Sequence, residues 1–390
     1  MSLHFIFGRA GTGKTTRCCR EIQDYLKKNP GGRAYLLVPD QGTYTAEYLL
    51  AKSFPGGGFI DVTVCGFSRL AYRVFQELHS PVADALSPLG QQIILRRLLN
   101  AHKDELQVIL RAASQPHFSE NLTAFFHQLD MFLVTEDDLF AASQREGETP
   151  LGKKLADLSL LYKAYHDYLR MHFAYEGSLF DLLAREIPKS EKLRGSHIWI
   201  DGFNGMAPQK IRIVSVLVHT AKEVTMTLQM DSPEEAAENP NFARPYQLYS
   251  QLQGAIRHSS SIVLTEEKRF RTSDLSLMAR HFFERHARPR PEDGRAKEGL
   301  HLITAESPKE EVDLISRTIT SLVRDKGLRY RDILVLSRTP ENYSDLFTRS
   351  FATYGIPGFI DEKHPMNNHP LVMLTSFLLQ FLAKETGRRN

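Results

Sequence analysis

His4-Phe5-Ile6-Phe7 runs directly into Gly8-Arg9-Ala10-Gly11-Thr12-Gly13-Lys14-Thr15-Thr16 near the start of a 390-residue chain. An apolar run broken by closely spaced glycines reads as a short buried strand, a tight loop and the first turn of a helix. Gly8, then four residues, then Gly13-Lys14-Thr15 is the spacing of a phosphate-binding loop. Glycine lets the backbone take positive φ and come close to a phosphate, so that successive N–H groups form an anion nest. The helix that follows adds the positive end of its dipole and its unpaired N–H groups. Lys14 is placed to reach the β and γ phosphates, and the Thr15 hydroxyl to ligate Mg²⁺. Cys18, Ile22, Tyr25 and Leu26 give the next segment an apolar stripe at helical spacing. The strand–loop–helix context that a chance match lacks is therefore present. Gly8, Arg9, Ala10, Gly11, Thr12, Gly13, Lys14, Thr15 and Thr16 are the candidate nucleotide-binding residues, with ATP and Mg²⁺ as cofactors.

The length predicts two or three domains. With 42% hydrophobic and 24% charged residues, the composition is that of a globular protein with ample core. A net charge of +3 does not by itself specify a nucleic-acid partner, which needs a local basic groove. Three cysteines, Cys18, Cys19 and Cys65, are too few and badly spaced for a disulfide scaffold or a zinc site. A reducing cytoplasm is the expected compartment. No apolar run reaches membrane-spanning length, so no membrane partner is expected. The apolar stretch 371–383 ends at Arg388-Arg389-Asn390 without a closing element, which suggests the N-terminal part of something longer.

Outward from the first helix, strands are expected at 33–39 and 59–64, with a helix over 44–54 between them and another from Gly66-Phe67-Ser68-Arg69 onward. That alternation predicts a parallel sheet with crossover helices. From 81 to 192 every apolar pattern has helical spacing, which predicts an all-helical insertion. Alternation returns over 196–203 with an apolar strand ending in the acid Asp201, then a helix over 208–219 and a strand at 223–230. Residues 285–298, with Pro289, Pro291 and Gly294 among alternating charges, look like a linker. Strands at 300–304 and 332–338 around a helix over 310–324 would start a second α/β unit. The predicted fold class is thus α/β: a RecA-like P-loop parallel sheet (1–80 and 193–284), a helical insertion (81–192), a linker (285–299) and the start of a second RecA-like domain (300–390).

A phosphate loop needs a carboxylate at the end of a neighbouring strand. Asp201, after Ile198-Trp199-Ile200, is the metal-site candidate alongside Thr15; the plainer reading is an acid that ends a strand and caps a turn. The next position, where an ATP hydrolase usually carries a water-activating glutamate, is Gly202, which has no side chain to act as base. No catalytic residue is identified, and nucleotide binding is separable from hydrolysis.

These residues resemble the superfamily 1 (UvrD/Rep-like) helicases. Phe5 to Thr15 looks like motif I. Leu37-Val38-Pro39-Asp40-Gln41-Gly42-Thr43-Tyr44 is similar to the motif Ia region, and Val64-Cys65-Gly66-Phe67-Ser68-Arg69 to motif Ib. Ile200-Asp201-Gly202-Phe203 resembles a worn motif II. Ile333-Leu334-Val335-Leu336-Ser337-Arg338 resembles the motif IV strand, whose arginine lies near the nucleotide in active motors. Within the superfamily, Val38-Pro39-Asp40-Gln41, Ile200-Asp201-Gly202-Phe203 and Gly355-Ile356-Pro357-Gly358-Phe359-Ile360-Asp361-Glu362-Lys363 look most like the AddB (RexB-type) family of helicase–deoxyribonuclease subunits, over residues 1 to about 380. Three features depart from active motors: no upstream adenine-reading glutamine motif, Gly202 for the catalytic glutamate, and Leu228-Gln229-Met230-Asp231-Ser232 where motif III would lie.

The AddB resemblance implies a nucleotide-binding subunit with degenerate motor motifs, paired with an AddA-type helicase–nuclease that drives unwinding at double-stranded DNA ends. It implies handling of single-stranded DNA with recognition of the Chi sequence. It also implies a 5′-strand nuclease domain with a 4Fe-4S cluster beyond residue 390. Arg338 would then be a nucleotide-sensing arginine, although an arginine at a strand end is more often a surface ion pair. Gln41, Tyr44, Phe67, Arg69 and Arg73 are the DNA-binding candidates, because single strands need positive charge and aromatic faces; the plain alternative for Phe67 is core. Two rival functions remain: an active ATP-driven translocase, and a P-loop small-molecule kinase, the latter disfavoured by the helical insertion and second unit.

Overall fold

The computed structural model describes residues 2–80, 87–113, 115, 117–173, 179–256, 258–270, 272–281, 299–362 and 366–387. The expected linker at 285–298 lies outside these residues, as do Pro81, Lys363 and Arg388-Arg389-Asn390. The chain separates into two units, Met1–Gly299 and Leu300–Asn390.

In the first unit, β1 (Leu3–Gly8), α1 (Lys14–Lys28), β2 (Ala34–Leu37), α2 (Thr43–Ser53), β3 (Val62–Cys65) and α3 (Phe67–Leu78) follow in alternation. A run of helices comes next: α4 (Pro88–Ala101), α5 (Leu110–Ala113), α6 (Phe118–Met131), α7 (Glu136–Glu146), α8 (Pro150–Phe173), α9 (Leu179–Glu186) and α10 (Glu191–Arg194). Alternation resumes with β4 (His197–Ile200), α11 (Pro208–Thr220), β5 (Glu223–Leu228), α12 (Pro233–Glu238), α13 (Ala243–Ala255), β6 (Ser259–Leu264) and α14 (Ser273–His281). The strands form one parallel sheet in the order β3-β2-β4-β5-β1-β6.

The pleat explains how β1 can be apolar at every position. Phe5 and Phe7 enter one core with Leu37, Ile200, Met226 and Leu228, closed by residues of α3, α9, α11 and α13. Ile6 points the other way, with Leu36, Val64 and Trp199, against α1 and α2. A strand buried on both faces needs no polar alternation, and each fully buried side chain of this size contributes about 1.5–3 kcal/mol. β6 is not legible in the sequence. It pairs with β1 from Leu3↔Ser259 to Gly8↔Leu264, but Ser259-Ser260-Ser261 is exposed at the sheet edge and carries no apolar signal.

The helices α4, α6, α7 and α8 build a separate core around Leu95, Phe126, Leu161 and Tyr162. The Asp157 carboxylate, buried on α8, accepts the backbone N–H groups of Gln107, Val108 and Ile109 at 2.8–3.1 Å and fixes the entry to α5. Leu183, Ile187 and Leu193, from α9 to α10, pack into the core of the sheet instead.

The second unit contains α15 (Pro308–Lys326), α16 (Ser344–Tyr354) and α17 (Pro370–Gly387). α15 and α16 pack through Val312, Ile319 and Phe347, with Tyr354 donating to Asp313 at 2.7 Å. The strands expected at 300–304 and 332–338 are not formed among the described residues. Leu302 is 96% exposed and Leu336 83%. An apolar run becomes a strand only where a neighbour takes up its backbone groups, and among the described residues neither segment has one.

Candidate nucleotide-binding site

β1 delivers the glycine-rich loop to the carboxyl end of the sheet, where ligands bind in open α/β folds. α1 begins at Lys14 with Gly13 as its N-cap and no side-chain cap, so no side chain claims the first N–H groups. Gly13 sits at φ +88°, a conformation that favours glycine. The Lys14 ammonium donates to the carbonyls of Gly8 at 2.7 Å and Arg9 at 2.9 Å. Burial holds its pKa below the ordinary lysine value, against the pull of Asp201 and with help from the positive charge of Arg269.

Asp201 follows β4, and its backbone N–H donates to Leu37 at 2.9 Å. Its carboxylate is buried and accepts from two hydroxyls, Thr15 at 2.7 Å and Thr227 at a close contact. Because β5 lies between β1 and β4, Thr227 fills the gap between the loop and the acid. Thr15 and Asp201 thus meet in the lining of a cavity of about 210 Å³ that Lys14, Gly202, Thr227, Gln229 and Arg269 also line. Among the described residues no group of three or more His, Cys, Asp or Glu is arranged to hold a metal. The donor set suits Mg²⁺, which takes one or two protein oxygens and completes its shell with phosphates and water. Unclaimed N–H groups, a lysine at the loop and the Thr15–Asp201 pair fit a Mg²⁺–triphosphate.

Other expected loop residues have settled roles. The Arg9 guanidinium does not face a phosphate: it makes a two-pronged pair with Asp231 at 2.7 Å per prong and donates to the Arg280 carbonyl at 2.7 Å. What Arg9 offers a ligand is its backbone. Thr12 is buried and donates to the Arg9 carbonyl at 3.0 Å, tightening the loop. Ala10, Gly11 and Thr16 line the cavity. Gly8 closes β1. At Gly202 the backbone takes φ +83°, and an added Cβ would lie 3.4 Å from the Pro39 ring. The position is thus shaped for glycine, and a glutamate there would be strained.

The DNA-binding candidates divide. Phe67 is 2% exposed and packs against Phe203 at 5.6 Å, so it is core and unavailable for base stacking. Gln41, Tyr44, Arg69 and Arg73 are exposed. Tyr44 of α2 and Arg73 of α3 line one groove of about 480 Å³ along β3, with Tyr48 and Phe59. Arg69, one turn before Arg73, shares its helix face. Arg338 is exposed in a bend of the second unit. Trp199 is buried, as a core anchor should be, and its indole N–H donates to Glu21 at 3.2 Å.

Three cavity residues lie outside every stretch quoted above, Asn204, Thr227 and Arg269, and a fourth, Gln229, falls where motif III would lie but is not among the site candidates. Thr227 and Gln229 are findable in principle, because a strand inserted between β1 and the strand bearing the acid must present its carboxyl end to the site. Arg269 follows β6, which gives no strand signal.

The family described as ADDB, N-terminal, matches residues 5–279. The chain is 35% identical over 99% of its length to the B-type subunit of the ATP-dependent helicase/deoxyribonuclease from Pelotomaculum thermopropionicum, and covers 34% of that protein. It is 35% identical to the proteins of the same name from Geobacillus kaustophilus, over 97% of this chain and 34% of that one, and Bacillus subtilis, over 95% and 33%. The chain therefore spans about a third of the length of these curated relatives. Among the described residues no helix is long and apolar enough to cross a membrane.

Proposed function

The chain belongs to the ADDB N-terminal family, and from that premise we propose that it is the helicase-like, ATP-binding part of a helicase–deoxyribonuclease subunit. It binds Mg²⁺–ATP in the loop and single-stranded DNA along α2 and α3, in the cytoplasm, as the partner of an AddA-type subunit at DNA ends. Recognition of Chi, and a 5′-strand nuclease with a 4Fe-4S cluster in the portion that relatives carry beyond this length, complete the proposal. The observation that carries it is the Thr15–Asp201–Thr227 arrangement beside an N-terminal helix end whose N–H groups no side chain claims. Lys14 and the loop amides hold the phosphates, Asp201 and Thr15 hold Mg²⁺, and Gly202 leaves the water without a base. Nucleotide is therefore bound tightly and turned over slowly.

Calorimetric titration with Mg²⁺–ATP tests this. Lys14→Ala removes a charge-assisted contact worth about 3 kcal/mol, a loss of about 100-fold in affinity. Equal affinity in wild type and variant would refute the loop as the site. One observation favours the translocase reading: Gln229 lines the cavity and could orient water in place of a glutamate. Fast DNA-stimulated turnover that Gln229→Ala abolishes would establish that reading instead.

A further inference from the structure

We infer that Arg269 is a phosphate-contacting residue of the nucleotide site, delivered by the segment that follows β6. The inference rests on the nucleotide reading above and extends it to a residue in which no motif takes part. The segment is clamped to the loop: the Lys268 N–H donates to the Gly11 carbonyl at 2.9 Å. A Cβ on Gly11 would lie 3.1 Å from the Arg269 Cβ and 3.2 Å from the Phe270 ring. Residue 269 is thereby fixed against the second turn of the glycine-rich loop, and its side chain lines the cavity that Lys14, Thr15 and Asp201 line.

The charges nearby are distributed unequally. The two acids of the segment are committed to other cations, Glu266 to Lys268 at 3.1 Å and Glu267 to Arg280 at 2.7 Å. Asp201 is already hydrogen-bonded by two threonines. No ion pair joins Arg269 to any described carboxylate, and the residue is exposed while lining the cavity. Lys14 and Arg269 thus line one cavity, and the one carboxylate that lines it with them is Asp201. An anion held there is attracted by both cations, and the planar guanidinium offers a phosphate two parallel N–H donors. The second cationic contact of the site then comes from the first unit itself and does not require Arg338.

The test uses the full chain and titrates ATP, ADP and AMP with Mg²⁺ into wild type, Arg269→Ala, Arg269→Lys and Lys14→Ala. Arg269→Ala is expected to weaken ATP about ten- to a hundred-fold, to affect AMP least, and to leave the thermal midpoint without nucleotide unchanged. Arg269→Lys is expected to recover part of the loss. Wild-type ATP affinity in Arg269→Ala beside a loss in Lys14→Ala would overturn the inference alone. No ATP binding by wild type would overturn the nucleotide reading and this inference with it.

Discussion

The glycine-rich loop and the groove along β3 both lie beside strands of one sheet, yet they are built on opposite principles. In the loop each functional side chain is held by a hydrogen-bond partner within the protein. Lys14 is bonded to two carbonyls, Thr15 to Asp201, and Asp201 to Thr227. In the groove Tyr44 is 79% exposed, and Arg69 and Arg73 reach into solvent from α3. A phosphate is compact and demands fixed donors. A flexible single strand is served by mobile charge and stacking faces. Rigidity in one region and looseness in the other follow from what each is proposed to hold.

The largest effect expected tests which side of the contrast Phe67 is on. Phe67→Ala should cost about 3–5 kcal/mol of stability, read as a lower urea midpoint; a loss below about 1 kcal/mol would return the ring to the DNA face. Asp201→Ala strips the buried Thr227 hydroxyl and the half-buried Thr15 hydroxyl of their acceptor and should cost about 2 kcal/mol, together with Mg²⁺-dependence of nucleotide binding. Retained Mg²⁺-dependence would show that the acid is a cap and no more. In the groove, Arg69→Ala or Arg73→Ala should leave the fold intact and reduce the salt slope of single-strand binding by about 0.7 each, read by fluorescence anisotropy at several salt concentrations. An unchanged slope for both would empty the groove of its role.

The smallest effect concerns pH. The Lys14 pKa is depressed in the free protein, and a phosphate beside it would raise it again. Binding then takes up a proton in the alkaline range, and affinity falls as pH rises through the free-state value. Calorimetry in two buffers of different ionisation enthalpy reads this uptake; no uptake would mean that the ammonium does not meet the phosphates. The sign for folding alone is opposite to that for binding. The unfolded chain holds the proton more firmly, so the burial penalty of Lys14 fades as pH rises toward the ordinary lysine value.

The core of the first unit is readable from the sequence because β1, β2, β4 and β5 are buried runs punctuated by glycine and charge. The segment Gly8 to Thr16 is readable because its spacing encodes a backbone shape. Phe67 is not, since a phenylalanine that opens a helix looks alike whether it faces core or solvent. Thr227 and Gln229 depend on strand order, which no local pattern contains. The apolar runs near Leu302 and Leu336 mislead for a different reason: they report a wish to be covered, and pairing is a separate condition.

The grip of Asp231 and the Arg280 carbonyl on Arg9 has one more consequence. A glycine-rich segment left to itself would sample many shapes and lose that freedom only when a ligand arrives, at the expense of affinity. Here the arginine within the loop is moored to the turn after β5 and to the last turn of α14. Part of the ordering is therefore completed during folding, which lowers the entropy that the proposed ligand would have to offset on binding.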